Sequence, residues 1–230
     1  MIIYGKNVVR EAIYAKREIY KLWIDEKFVD FKFLDFLKQK NIRYEKKEKH
    51  FLNEKTNNNN HQGIVADVRP YEYYNLEDVI KDNYLHRFII LDGIEDPHNL
   101  GAIIRTAEAT KIDGIIISKK NQIMLNSTVA KVSSGAIEHV KVILVNNLVQ
   151  AIKKLKENNI WVIGTDGSTT TEYQNLDISR SLAVVLGSEG QGMRHLIKKE
   201  CDDIIKIPMY GKVNSLNVSV AAALIMYKMV

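Results

Sequence analysis

A glycine-rich loop near the C-terminus is the first segment whose residue types could do chemistry. Gly187, Gly190 and Gly192 surround one carboxylate, Glu189. Glycine adopts backbone conformations closed to other residues and lets the main chain approach a ligand closely. The spacing is not that of a dinucleotide-binding G-x-G-x-x-G fingerprint, and the loop lacks the lysine of a phosphate-binding P-loop. The glycines alone therefore fit a tight structural turn as well as a ligand-binding loop.

A second segment, Asp96 to Arg105, places an arginine on a predicted helix. Asn99 is a candidate N-cap, so the helix is predicted to begin just after it. Arg105 gains nothing from the helix dipole near an N-terminus, because that end already carries partial positive charge. An anionic partner explains it better, and a guanidinium matches a phosphodiester in bidentate fashion. The alternative is a salt bridge to Glu189 or Glu108.

A third group of polar residues precedes the last apolar segment, which is predicted to be a helix over 218–227. Asn214, Ser215, Asn217 and Ser219 offer hydroxyl and amide groups at its start. Residues of these types commonly cap helices. They are equally able to hydrogen-bond a ligand, and the sequence leaves both roles open.

Alternating strands and helices from Phe88 onward predict the scaffold that positions these groups. Continuous apolar runs are typical of strands buried on both faces of a parallel sheet. The predicted strands cover 88–91, 115–117, 142–144, 160–163, 183–186 and 204–207, and the predicted helices cover 100–110, 127–136, 148–155 and 218–227. This order indicates an α/β domain with a mostly parallel sheet, in which ligands bind at the carboxyl ends of the strands.

The N-terminal third reads as a separate, smaller α/β domain over residues 1–70, followed by a linker over 71–87 and the larger domain over 88–230. Its predicted strands cover 2–4, 22–24, 42–44 and 64–68, its helices cover 8–15 and 31–37 with one short helix after them, and the linker carries a short helix around 76–80. The run 57–60 is predicted to be an exposed loop. Residues 1–70 carry 15 Lys or Arg against 10 Asp or Glu, whereas the remainder carries 18 of each. This local excess could attract a phosphate backbone or could simply favour solubility.

Composition narrows the classes of protein that this chain of 230 residues could be. A single cysteine, Cys201, excludes an internal disulfide and indicates a reducing compartment. We expect a cytoplasmic protein with no membrane partner, because no apolar run approaches about 20 residues and the start lacks a secretory signal pattern. We expect no metal, because the six histidines and the cysteine show no paired ligand spacing.

Taken together, the polar segments resemble a known family. Together, four segments closely resemble the three signature motifs of the SpoU/TrmH family of RNA ribose 2′-O-methyltransferases. These segments are 96–105, 186–192, 207–209 and 214–221. The segments 4–12 and 61–64 are similar to the substrate-binding domain of one branch, which methylates a guanosine ribose in large-subunit ribosomal RNA. Members without that domain more often act on transfer RNA. The resemblance implies a C-terminal domain tied in the trefoil knot of the SPOUT superfamily, with a small N-terminal α/β domain like that of some ribosomal proteins.

The resemblance also assigns roles to residues. It implies that S-adenosylmethionine is the cofactor, held by Thr165, Leu186, Gly187, Ile207, Met209, Ser215 and Leu216. In the family the arginine matched by Arg105 is a proposed general base or activator of the 2′-hydroxyl. We favour a phosphate-bound Arg105 that stabilises negative charge on that oxygen, because a guanidinium keeps its proton in proteins. Asn99, Glu189 and Asn217 would then hold Arg105 and the ribose in place.

The last predicted helix indicates self-association. It is apolar on nearly all sides, and such a helix needs a second burial surface besides the sheet. A homodimer would supply that surface, and the resembled family dimerises through its knotted domain. We expect close helix approach at small residues, so that Ala222→Arg would dissociate the dimer.

Two alternatives to the methylation of ribosomal RNA stay open. One is the same reaction on transfer RNA, and the other, less favoured, is a non-catalytic RNA-binding protein of the same fold.

Overall fold

The structure is a computed structural model that describes residues 1–188 and 190–230. The chain divides into two compact units. The first comprises Met1–Glu72 and Leu125–His139, and the second comprises Tyr73–Met124 and Val140–Val230. The domain boundaries predicted from the sequence stay a prediction, but the compact units differ from them at one place. The segment Leu125–His139 packs with the N-terminal unit.

The described residues form ten strands and eight α-helices. The strands are β1 Ile2–Tyr4, β2 Ile19–Asp25, β3 Glu45–Lys47, β4 Ile64–Val68, β5 Arg87–Asp92, β6 Gly114–Ser118, β7 Val142–Val145, β8 Trp161–Thr165, β9 Leu182–Gly187 and β10 Asp203–Ile205. The helices are α1 Lys6–Tyr14, α2 Phe31–Gln39, α3 Lys49–Lys55, α4 Pro97–Ala109, α5 Ser127–Val132, α6 Leu148–Glu157, α7 His195–Glu200 and α8 Val218–Lys228. Short 3₁₀ helices cover Ala136–Glu138 and Tyr173–Asn175.

The first unit is built on a mixed four-stranded sheet in the order β1-β4-β2-β3. β4 is antiparallel to β1 and β2, and β3 is parallel to β2. A buried ion pair fixes the segment Leu125–His139 in this unit, because Arg17 Nε lies 3.0 Å from Glu138 Oε2 and the Glu138 side chain is only 3% exposed. Tyr71 donates its hydroxyl proton to the same carboxylate at 3.0 Å. Burial raises the pKa of both Glu138 and Tyr71.

One predicted strand of the first unit is wrong in position. The apolar-looking stretch 42–44 is not a strand, because Ile42 closes the end of α2 with a hydrogen bond from its amide to Leu37 O at 3.0 Å. The strand is the charged segment Glu45–Lys47, which among the described strands pairs with β2 alone and forms an edge of the sheet. The predicted asparagine loop over 57–60 is exposed, as expected.

The second unit contains a six-stranded sheet in the order β10-β8-β9-β5-β6-β7, and every pairing in it is parallel. Fully buried β-branched and leucine side chains in β5, β6 and β9 explain the continuous apolar runs of the sequence. The α/β class with a parallel sheet and a small N-terminal α/β unit is confirmed. The trefoil knot stays a prediction.

Several element limits of the second unit differ from the sequence-based predictions. The linker has no helix over 76–80; it forms a single hydrogen-bonded turn, although Leu76 and Val79 are buried in the core. α5 ends at Val132, β10 ends at Ile205, and the short helix α7 was not predicted. The N-cap of α4 is Asp96 rather than Asn99, because the Asp96 carboxylate accepts the His98 amide proton at 2.8 Å.

Helix α8 buries one face and exposes another. Val218, Ala222, Ile225 and Met226 face the protein interior. Val220, Leu224 and Tyr227 are 48%, 37% and 63% exposed. Ala222 is completely buried within one chain, so the expectation that Ala222→Arg would report on a dimer contact is wrong. That substitution would disrupt the chain's own core. No helix in the described part of the chain is long and apolar enough to cross a membrane.

Candidate active site

The site begins at the carboxyl ends of three neighbouring strands. β8, β9 and β5 lie side by side and end at Thr165, Gly187 and Asp92. Asp92 is directly opposite Gly187 in the ladder. In parallel sheets ligands bind at these ends, because the loops that follow the strands converge there. The structure therefore places the glycine loop where the sequence predicted it.

A closed turn follows Gly187. Ser188 and Gly192 exchange two backbone hydrogen bonds, 3.2 Å from Ser188 N to Gly192 O and 2.9 Å from Gly192 N to Ser188 O. A Cβ on Gly187 would lie 2.1 Å from the carbonyl carbon of Gly192, which leaves no room for a side chain. Gly190 and Gly192 have φ of 86° and 66°, a region that favours glycine. Glu189, predicted to be catalytic, lies outside the described residues.

A buried carboxylate that the sequence-based prediction missed holds the end of this turn. The Asp92 side chain has no solvent exposure, and it accepts hydrogen bonds from Arg194 N at 2.8 Å and Arg194 Nε at 2.7 Å. A charge-assisted pair to a fully buried carboxylate fixes the position of the segment after Gly192. The signal in the sequence was a single aspartate closing the apolar strand 88–91.

Two adjoining cavities of about 580 Å³ and about 590 Å³ open in front of these strand ends. Both are lined by Thr165, Asn214, Ser215, Leu216 and Ala221. Between them they contain all seven residues predicted to hold a cofactor, namely Thr165, Leu186, Gly187, Ile207, Met209, Ser215 and Leu216. The structure thus brings together residues from three segments that are distant in sequence. We call these two cavities the cleft.

A second missed group lies on the wall of the cleft. Asp166 follows Thr165 and accepts hydrogen bonds from Lys198 Nζ at 2.7 Å and from Ser168 Oγ at 2.6 Å. The hydrogen bond from Lys198, followed by those from Ser168, lowers the pKa of Asp166 to about 2. The carboxylate is therefore ionised at any physiological pH. No residue pattern around Asp166 distinguished it from an ordinary loop aspartate in the sequence.

The two predicted asparagines contact each other. Asn217 caps α8 by accepting the Ser219 amide proton at 2.9 Å, and its Nδ2 donates to Asn99 Oδ1 at 2.9 Å. Asn99 is 9% exposed on α4 and lines a neighbouring cavity of about 290 Å³. This cavity shares Ser188 and Val218 with the cleft. The Asn217 side chain therefore caps α8 and holds Asn99 at the same time.

Arg105 does not share the cavities that Asn99 and Asn217 line. Its side chain is exposed on α4, and it lines neither the cleft nor the cavity beside Asn99. Within the described ranges it forms no salt bridge, so the alternative of a structural pair with Glu108 is wrong. The alternative pair with Glu189 lies outside the described residues. An exposed guanidinium that pairs with no described carboxylate is available to an incoming anion. Residues 1–188 and 190–230 hold no group of three His, Cys, Asp or Glu side chains that could bind a metal ion.

The chain is similar to known proteins over nearly its whole length. Residues 86–227 match the profile of the SpoU rRNA Methylase family, and residues 2–74 match that of the RNA 2′-O ribose methyltransferase substrate binding domain. A Staphylococcus aureus protein named for the TrmH family of tRNA/rRNA methyltransferases is 48% identical over 99% of this chain and 94% of its own length. Bacillus subtilis YacO, named for the same family, is 45% identical over 98% of this chain and 93% of its own length.

A solved structure shares the fold. The SpoU methyltransferase AviRb from Streptomyces viridochromogenes, crystallised with S-adenosylmethionine, superposes with a TM-score of 0.85 at 22% identity. The match covers 100% of this chain and 88% of that protein. The family profile covers more than half of the chain, and the bacterial relatives match nearly all of it. The protein therefore belongs to the SpoU/TrmH family of RNA methyltransferases, a family that uses S-adenosylmethionine.

Proposed function

We propose that this protein transfers a methyl group from S-adenosylmethionine to the 2′-oxygen of a guanosine ribose in large-subunit ribosomal RNA. One observation carries the proposal: residues from the segments 186–192, 207–209 and 214–221 line a single cleft at the carboxyl ends of β8 and β9. The cleft lies beside the Asn99–Asn217 pair. Family membership supports the reaction, and the match to the substrate-binding profile over residues 2–74 supports RNA as the substrate.

The cleft fits the cofactor in size and chemistry. Ligand pockets for molecules of this class are commonly about 300–1,000 Å³, apolar for the most part, with a few fixed polar groups. Leu186, Ile207 and Leu216 supply apolar surface, whereas Thr165 and Ser215 supply hydroxyls. The missing side chain at Gly187 lets the backbone of Gly192 and Met193 pack against it, which shapes this wall of the cleft. The bound cofactor would supply the activated methyl group.

The protein's own residues contribute positioning and electrostatics. An in-line displacement at carbon needs the attacking oxygen to be aligned, so most of the rate gain comes from fixed geometry. Asn99 and Asn217 hold each other through their amides and would orient the ribose. Arg105 would bind an RNA phosphate and stabilise negative charge developing on the 2′-oxygen. Glu189 would help the two asparagines to hold Arg105 and the ribose in place.

The choice of ribosomal RNA rests on the small N-terminal domain. Its presence, together with the basic excess in residues 1–70, favours a large structured RNA that contacts more than the methylation site. Transfer RNA is the second candidate, because the named relatives are assigned to both RNA classes. Such an enzyme would act in the cytoplasm, where its RNA substrate is assembled.

We also propose that the protein acts as a homodimer. Ala223, Leu224 and Tyr227 of α8, with Tyr173, line an exposed cavity of about 380 Å³. Val220 extends this apolar face along the helix. A contiguous apolar surface rimmed by polar groups is typical of a protein–protein contact. A second copy of the chain that presents the same face would cover it.

Mapping of 2′-O-methyl groups tests the substrate assignment. Ribosomal and transfer RNA from a strain lacking this gene would be compared with RNA from the parent strain and from a complemented strain. We expect one guanosine of large-subunit ribosomal RNA to lose its methyl group and to regain it on complementation. Loss at a transfer RNA position instead would favour the second candidate. An unchanged methylation map, with no methyl transfer by the purified protein, would favour a non-catalytic RNA-binding protein.

A further inference from the structure

A half-buried lysine of the first unit contacts no carboxylate among the described residues. Lys131 lies on α5, in the part of the chain that matches the methylase profile, but it packs within the first unit. Its ammonium donates to Gln62 Oε1 at 3.2 Å, and no carboxylate of the described residues pairs with it. Burial lowers the pKa of Lys131, and no nearby negative charge opposes that shift. The ammonium also lies 5.7 Å from the centroid of the Tyr4 ring, so its contacts among the described residues are with neutral groups. A partly desolvated cation that has only neutral neighbours favours the arrival of an anion.

A glycine at position 5 leaves room for the Lys131 ammonium. Gly5 has φ of 98°, and a Cβ at that position would lie 2.4 Å from Lys131 Nζ. Gly5 precedes α1, and the Lys6 amide donates to the same Gln62 oxygen at 3.2 Å. One neutral amide oxygen therefore serves both the ammonium and the first amide of the helix. An additional acceptor would satisfy both donors better than this shared oxygen does.

Gln62, which accepts both hydrogen bonds, has a left-handed backbone conformation. Its φ of 54° lies in the left-handed region, which is uncommon for residues other than glycine. His61 fixes the turn, because its Nδ1 accepts the Gly63 amide proton at 3.0 Å and its Nε2 lies 2.9 Å from Asn53 Oδ1. Such conformations persist only where surrounding contacts enforce them, and they cluster at functional sites.

Lys6 links this group to a loop that carries two exposed apolar side chains. Lys6 Nζ contacts Asp30 at 2.8 Å, and Asp30 caps α2 between Val29 and Phe31. Val29 and Phe31 are 74% and 75% exposed. Because Lys6 neutralises the Asp30 carboxylate, no unpaired negative charge from Asp30 opposes an anion here. Aromatic side chains beside cations are the usual arrangement for stacking the bases of single-stranded nucleic acid.

We propose that Gly5, Gln62, Lys131 and Phe31 form a single-stranded RNA subsite, in which Lys131 holds a backbone phosphate and Phe31 stacks on a neighbouring base. The subsite deepens the proposed function and rests on it, since it takes RNA as the ligand. Its cation comes from the methylase segment, whereas its other residues come from the substrate-binding segment. The substrate-binding profile therefore does not contain the complete subsite.

The test is an equilibrium titration of a fluorescently labelled oligouridine RNA, at several salt concentrations and without cofactor. Lys131→Gln should weaken binding by about tenfold or more at low salt, because a hydrogen bond to a charged group is lost. It should also reduce the slope of log affinity against log salt by about 0.7, the value for one phosphate on a single strand. Phe31→Ala should weaken binding by between about fivefold and 100-fold without changing that slope, because stacking releases no counterions.

Matched controls separate this subsite from general attraction. Lys38→Gln removes an exposed lysine at the far end of α2, and Tyr20→Ala removes an exposed tyrosine at the far end of β2. Both should bind like wild type, and Lys131→Arg should keep the salt slope. Unchanged binding by Lys131→Gln or by Phe31→Ala would overturn the proposal, as would equal losses in the controls. RNA binding is measured apart from methyl transfer, so failure of the subsite proposal leaves the proposed methylation reaction intact. Absence of methyl transfer by the wild-type protein would instead contradict the proposed function.

Discussion

The close approach of Gly187 to the turn that follows it gives a sharp prediction for Gly187→Ala. The new Cβ would meet the Gly192 carbonyl carbon at 2.1 Å, the Met193 nitrogen at 2.2 Å and the Gly192 oxygen at 2.4 Å. All three are backbone atoms, so no flexible side chain can move away. Overpacking of this kind costs about 1–3 kcal/mol. For a chain of this size that corresponds to a fall in Tm of about 2–12 °C.

The same displacement should damage the cleft, because Gly187 and Gly192 both line it. Calorimetric titration with S-adenosylhomocysteine should therefore show much weaker binding by Gly187→Ala. Gly167→Ala is the matched control, since Gly167 also lines the cleft but a Cβ there meets no atom within 4 Å. The control should keep its Tm within about 1–2 °C. A Gly187→Ala protein with wild-type Tm and affinity would refute the geometry described for this turn.

Three further predictions concern other parts of the molecule. Arg105→Lys should lose methyl transfer by about 100-fold or more while S-adenosylhomocysteine affinity stays unchanged, because lysine lacks the planar fork; near-normal turnover would contradict this. If the proposed homodimer forms through α8, Leu224→Arg should sediment as a folded monomer, whereas Ala222→Arg should unfold the chain because Ala222 is fully buried. A Leu224→Arg protein that sediments as a dimer would place the contact elsewhere. Burial lowers the pKa of His61, so the fold favours neutral His61 and its stabilisation is lost as pH falls below about 6.5. Urea unfolding at falling pH should show this loss in wild type and a smaller one in His61→Gln, and equal losses would exclude His61 as the cause.

The strands β5, β6 and β9 of the large sheet could be predicted from the sequence because they are buried on both faces. Runs such as Phe88–Leu91 and Ile115–Ile117 have no exposed position, so their composition alone indicates a parallel sheet. The edge strand β3 could not be predicted in this way. It consists of Glu45, Lys46 and Lys47, and it is a strand only because β2 offers free backbone groups beside it. Tertiary pairing overrides local propensity there.

The candidate site was predictable in its segments but not in its contacts. Glycines and polar residues after apolar strands located the cleft, because strand ends converge in a parallel sheet. The sequence did not reveal that Asp92 and Arg194 pair across the turn, since 102 positions separate them. Nor did it reveal that Leu125–His139 packs in the first unit, because the buried pair of Arg17 with Glu138 joins segments that no local pattern connects.

Direct detection of the product tests the central claim, that this cleft serves 2′-O-methylation of RNA. The purified protein would be incubated with S-adenosylmethionine labelled in its methyl group and with ribosomal RNA from a strain lacking the gene, and the RNA would then be hydrolysed in alkali. A 2′-O-methyl group blocks alkaline cleavage at its own nucleotide, so we predict the label in an alkali-stable dinucleotide whose first residue is guanosine. Label found only in mononucleotides, as base methylation would give, or no label in any RNA would contradict the account.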